Sequence, residues 1–147
     1  MEIGASEYRY AAIENLDSAL VAHSSGLYVS SHYLAGLTVE CMLRAYRWRV
    51  DGQWDGRHFL PRLLRESGLL KEVPEDALLT FIDRFAELSR RWSNEHRYTS
   101  DGKLMKRLNS IQASWGVKGD KLKENSRIMT EAANFIVGIG RKKWDSQ

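Results

Sequence analysis

Apolar residues recur along this chain at steps of three and four, the spacing that puts them on one face of a helix. From Ser6 to about Ser24, Ala12, Ile13, Leu16, Ala19, Leu20 and His23 keep that step, while Glu7, Arg9, Glu14 and Asp17 fall mostly on the other side. Ser24-Ser25-Gly26 reads as a turn, and His23 as a residue that complements the helix end. Leu27 to about Val50 predicts the second and most buried helix, centred on Tyr33-Leu34-Ala35-Gly36-Leu37-Thr38-Val39-Glu40-Cys41-Met42-Leu43. A helix apolar on nearly every face is covered on more than one side, and one of those sides suits a dimer partner. Ala35 and Gly36 are small enough to admit a second helix closely. Glu40 is the one charge in the run, with Arg44 at i+4 as its expected partner.

Asp51 to Arg57, with two glycines, predicts a loop. His58 to Gly68 predicts a short helix, with Pro61 in its first turn, where a missing amide costs least. A fourth helix starts near Pro74-Glu75-Asp76 and runs to about Trp92, with Leu78, Ile82, Phe85 and Leu88 on its apolar side. Ser93 to Gly102 is polar and turn-rich. Leu104 to Leu108 predicts a short helical turn, and Trp115 to Gly119 breaks it. Lys121 to Lys142 predicts the final helix, with Gly138 and Gly140 weakening its end. Alternating strand patterns are nearly absent. The pattern predicts an all-α fold, an up-and-down helical bundle of four to five helices, in a single domain spanning residues 1–147.

Composition changes this picture little. The net charge is a mild +3 over 147 residues. Between Lys103 and Arg127, however, seven basic residues face two acidic ones, a local excess that favours a polyanion or forms a solvated surface. The one cysteine, Cys41, lies in the apolar helix and reads as inert packing, in keeping with a reducing compartment. No leader pattern and no membrane-length apolar run occurs, so a cytoplasmic chain without a membrane partner is expected. Neither a histidine pair at metal-ligand spacing nor a glycine-rich phosphate loop is present, so no metal and no cofactor is expected. His58 reads as a cap or loop residue, and His32 lies near the start of the second helix. Trp54 and Trp115 fall in loops, where they can stack on bases or a partner, or fold back onto the core.

The stretch richest in usable chemistry is Arg91-Trp92-Ser93-Asn94-Glu95-His96-Arg97-Tyr98. Arginine can pair with a phosphate, and histidine can exchange a proton near neutral pH. On a continuous helix, residues five apart lie roughly 140° apart, so Arg91 and His96 converge only where the helix ends between them or across a dimer. The same residues have a purely structural reading. Arg90, Arg91 and His96 suit a helix C-terminus, and Trp92 and Tyr98 suit packing with a polar tip.

Three segments together resemble the HEPN family of small helical domains. They are His32 to Ala45 with Glu40 inside it, His58-Phe59-Leu60 followed by Leu63-Leu64, and Arg91-x4-His96-x-Tyr98. The last is similar to the Arg-x4-His-x-Tyr motif of HepT-type ribonuclease toxins. The resemblance covers roughly residues 10–140. It implies a dimeric helical bundle acting as a metal-independent endoribonuclease on RNA, with Arg91 binding phosphate and His96 as general acid or base. Tyr98 would be the residue modified with AMP by a nucleotidyltransferase antitoxin. Residues 92–98 also align with a second HEPN signature, an aromatic followed by Thr-Arg-Tyr-Pro. There Arg97-Tyr98 matches Arg-Tyr, and His96 and Thr99 depart from the pattern. That alignment goes with the alternative, a non-catalytic HEPN module binding RNA, a nucleotide or a protein partner.

Overall fold

The computed structural model describes residues 3–52 and 58–146, and its described residues form helices and turns with no strand. Six α-helices follow in order: α1 (Ala5–Ser24), α2 (Tyr28–Asp51), α3 (Leu60–Ser67), α4 (Leu78–Arg91), α5 (Asp101–Ser110) and α6 (Lys121–Asp145). The all-α class is as expected from the periodicity. The count of six reflects α5, where a brief helical turn was expected and a ten-residue helix stands. Ser100 caps it, its Oγ accepting from the Lys103 amide. Leu104 and Leu108 give it a buried face of its own, packed with Ala113 and with Val29, Ile111 and Leu122.

Helix α2 is the centre of the main core. Thirteen of its residues, from Ser31 to Tyr46, are buried, and α1, α3 and α6 pack around it. Its cover therefore comes from within the chain. Against α1 the approach is close, because Ala12, Ala19 and Ala35 carry only methyl groups. Two α2 hydroxyls then reach α1 carbonyls: Ser31 Oγ donates to Ala19 O at 2.9 Å, and Thr38 Oγ1 donates to Ala12 O.

On the other side α6 supplies Met129, Ala132, Ala133, Ile136 and Val137, all essentially buried. Gly140 belongs to this contact. A Cβ there would stand 2.8 Å from Met42 Cγ, and the Gly140 carbonyl accepts from Tyr46 Oη at 2.6 Å. The glycine expected to weaken the helix end instead seats the helix on α2, and α6 continues to Asp145. Gly36 behaves similarly, its neighbour being the side chain of the residue just past α4. A Cβ on Gly36 would lie 2.1 Å from the Trp92 indole.

Helix α4 closes the core with Phe81, Phe85 and Leu88. A fully buried side chain of this size contributes on the order of 2–3 kcal/mol. Pro61 sits in the first turn of α3, and Gly68 ends it at φ +75°, a left-handed conformation that glycine adopts without strain. The expected 51–57 loop and Trp54 fall almost wholly outside the described residues. Among the described helices none is long and apolar enough to cross a membrane.

Candidate functional site

The α4 helix stops at Arg91. Trp92 and Ser93 are extended (ψ 144° and 145°), and Asn94–Tyr98 forms a 3-10 turn. Trp92 forces this stop by turning inward. It is 5% exposed, its Nε1 donates to the Tyr33 carbonyl at 3.0 Å, and its ring lies against Tyr33 and over Gly36. Ser93 starts the turn, its Oγ accepting from the Glu95 amide. The break returns His96 toward the core, as convergence with Arg91 requires.

Arg91 and His96 do not touch. They are joined through two residues to which the sequence assigns no role in the site, Asn125 on α6 and His32 on α2. Arg91, 5% exposed, donates from Nε to Glu87 Oε2 at 3.1 Å and from Nη1 to Asn125 Oδ1 at 3.1 Å. Asn125 Nδ2 lies 2.8 Å from His32 Nδ1. His32 Nε2 lies 2.8 Å from His96 Nδ1, and His96 Nδ1 also accepts from the Ser93 amide at 3.2 Å. His32 is a polar residue within an apolar helix, and that was the signal available for it. Asn125 had none beyond its place in the apolar period of α6.

The direction of every bond in this chain is fixed by its ends. Guanidinium only donates, so Asn125 turns its oxygen to Arg91 and its amide hydrogens to His32. His32 Nδ1 must then accept, and its proton sits on Nε2, pointing at His96. His96 Nδ1 accepts, which the Ser93 amide requires independently. Neutral His96 therefore carries its proton on Nε2, a nitrogen that makes no hydrogen bond within the described residues.

Electrostatics keep both rings neutral. Burial, then the nearby charges of His96 and Arg91, push His32 from the ordinary 6.5 down to about 3. Burial and then Arg107 lower His96, and Glu95 opposes them. Burial raises Glu87, but the hydrogen bonds and charges of Arg91 and Arg90 outweigh it and hold the carboxyl below its usual range. The expected general acid or base is thus held as a neutral hydrogen-bond donor. To act as acid or base it would need a proton on Nδ1, facing two N–H groups.

The rest of the motif faces outward. Tyr98 is 81% exposed, with the Arg97 guanidinium 5.4 Å from its ring centre. His96, Arg97 and Thr99 line an open pocket of about 240 Å³ with Val29, Ser30 and Tyr33. In the basic stretch, Lys103, Lys106 and Arg107 are exposed on α5, whereas Arg127 is held by Glu124 and Glu131. Trp115 is 80% exposed and does not fold back. Cys41 is buried, which lifts its thiol to about 12 and suits packing rather than attack.

The other polar residues of the buried helices have partners of their own. His23 Nδ1 meets Ser126 Oγ at 2.7 Å. Glu40 pairs with Arg44, as its spacing suggested, and also with His58, whose Nδ1 lies 2.7 Å away. Among the described residues no cluster of three or more His, Cys, Asp or Glu could hold a metal ion. No family model, curated protein or solved structure matches the chain.

Proposed function

We propose that this protein is a HEPN-like helical module that binds RNA through the 94–98 turn without cleaving it. In that reading α1, α2, α4 and α6 are the up-and-down bundle, and α3 and α5 are additions to it. The observation that carries the reading is the direction of the Arg91–Asn125–His32–His96 chain. It consumes Arg91 internally and leaves His96 with a donor toward solvent. A neutral Nε2–H can hold a phosphate oxygen but cannot take a proton from a 2′-hydroxyl. Arg97 and the exposed Tyr98 supply charge and a stacking ring beside it. Lys103 and Lys106 extend the positive surface.

The deciding experiment incubates structured RNA with the purified protein in EDTA, measuring retention and cleavage together. Intact RNA should be retained, and Arg97→Ala or Tyr98→Ala should weaken retention by about tenfold, the scale of one lost stacking or charged contact. EDTA-resistant cleavage that disappears in both Arg91→Ala and His96→Ala would sink the reading.

The second reading is a metal-independent endoribonuclease toxin that works as a homodimer and is silenced by a nucleotidyltransferase antitoxin. One observation favours it: Tyr98, the residue such a partner would modify, is exposed. Cleavage in the same assay is its signature.

A further inference from the structure

An apolar groove lies between α3 and α4 and shares no lining residue with the pocket at His96. Its volume is about 570 Å³. Its aliphatic walls are Pro61 and Leu64 on α3, Leu70 on the 3-10 turn Leu69–Glu72, and Leu78 and Ile82 on α4. The sequence builds it from paired apolar residues. Neighbours on a helix lie about 100° apart, so only one of a pair can face the core squarely. Leu63, Leu69 and Phe81 take the core, whereas Leu70 and Ile82 stand 38% and 43% exposed. Leu64 is half-buried. Single exposed apolar residues need no explanation, but a contiguous apolar groove marks an interaction site.

The walls select a ligand of simple composition. Among the described residues no aromatic ring, hydroxyl, amide or carboxylate side chain lines the groove. The carbonyls of Gly68 and Leu70 already accept from the Lys71 and Val73 amides. A sugar or a base would leave its polar groups unpaired there. The two polar walls are both cations, Arg65 and Lys71. Both are exposed, and neither makes an ion pair among the described residues. Their acidic neighbours are taken, Glu66 by Arg47 and Arg62, and Glu72 by Arg49. The ligand that uses every wall has an aliphatic chain for the leucines and Ile82 and one anionic head for Arg65 and Lys71. The cavity lies within the size range of small-ligand sites. We infer that the α3–α4 groove binds a monomeric fatty carboxylate, with Arg65 and Lys71 pairing with its head. The RNA surface proposed above uses other residues, and neither depends on the other.

The test titrates the full chain with decanoate, octanoate and decyltrimethylammonium, each below its micelle concentration, following side-chain methyl signals by NMR. Decanoate should move the Leu64, Leu70 and Ile82 signals in a saturable way. Octanoate should bind about tenfold more weakly, the scale of two methylenes left out of the groove. The double variant Arg65→Ala/Lys71→Ala should weaken decanoate by about tenfold. Lys142→Ala, which removes an exposed cation on α6, should change nothing. Ile82→Asp should abolish binding. All these variants alter exposed side chains, so the fold is kept. No saturable shift at millimolar decanoate, equal affinity for decyltrimethylammonium, or unchanged affinity in the double variant would each overturn the inference. So would another occupant. A dimer of the free chain that Ile82→Asp dissociates would give the groove to a second copy. Cosedimentation with phosphatidylglycerol vesicles, lost in Ile82→Asp and without binding of monomeric decanoate, would give it to a membrane surface. RNA retention with Arg97→Ala and Tyr98→Ala reads the other surface, so failure of one proposal is told apart from failure of the other.

Discussion

His96 and His58 stand at pockets lined by successive parts of the same stretch, yet the neutral forms of the two rings carry their proton on opposite nitrogens. His96 meets two donors at Nδ1, the His32 ring and the Ser93 amide. His58 meets a carboxylate there. In a neutral ring, what Nδ1 faces decides what Nε2 can offer, a hydrogen in one case and a lone pair in the other. The difference shows that a motif histidine is not a base by virtue of its spacing. The histidine with the accepting nitrogen is the one that pattern reading set aside as a cap or loop residue.

The contrast can be broken most severely at the residue that both regions share. Trp92 follows Arg91 and also lines an open pocket together with His58. Gly36→Val places carbon atoms inside that indole. It should cost about 3 kcal/mol or more, at the upper end of overpacking, because the indole must leave the place from which it bonds the Tyr33 carbonyl. Urea unfolding measures this, and wild-type stability in the variant would mean that the indole does not lie on Gly36.

Asn125→Leu sharpens the comparison by acting on one histidine alone. It removes the acceptor for Arg91 Nη1 and the donor to His32 Nδ1, leaving buried groups unpaired at a cost of about 2–3 kcal/mol. With the chain cut, His32 is free to change tautomer, and the His96 signals should shift. Those of His58 should not, since its partner Glu40 lies outside the chain. Equal movement of both would show that they are not independent.

Acid separates the two regions by a smaller step. His32 has its folded value depressed to about 3, below the ordinary 6.5. The unfolded chain then binds the proton more readily, so stability is complete above pH 6.5 and falls as pH drops toward 3. The loss is about 1.4 kcal/mol per pH unit, or roughly 2 kcal/mol at pH 5. His96, also lowered, adds in the same direction. His32→Gln keeps a donor and an acceptor but does not titrate. Its denaturation midpoint should therefore vary less between pH 7 and pH 5 than that of the wild type, and an unchanged slope would place the acid sensitivity elsewhere.

The helices were readable because burial imposes a period on the sequence, and α2 announced its central place by being apolar on nearly every face. Its cover was harder to read. Nothing in the order of residues says that Trp92, 56 positions after Gly36, occupies the space that Gly36 leaves. The α5 helix was underestimated because its apolar face is short, only Leu104 and Leu108, and its cap at Ser100 lies in a polar stretch. In the motif, Arg91, His96 and Tyr98 were legible as chemistry, and the helix break between the first two was anticipated from geometry. The linking pair was not. His32 and Asn125 lie 93 positions apart, and a hydrogen-bond direction is set by partners that only tertiary structure supplies.

The chain of bonds from Arg91 to His96 draws one residue each from α4, α6, α2 and the 94–98 turn. Its last link to form must wait for whichever of those segments arrives last. Asn125 stands near the start of α6, the last of the described helices, so a ribosome releases it after the other three are already outside. Until α6 docks, Arg91 has only Glu87 and His32 has no partner for Nδ1, so only the Ser93 amide holds His96 Nδ1 as an acceptor. The proton position at the 94–98 turn is therefore held from both sides only once α6 has docked, and a fragment that ends before α6 keeps the motif with the local hold alone.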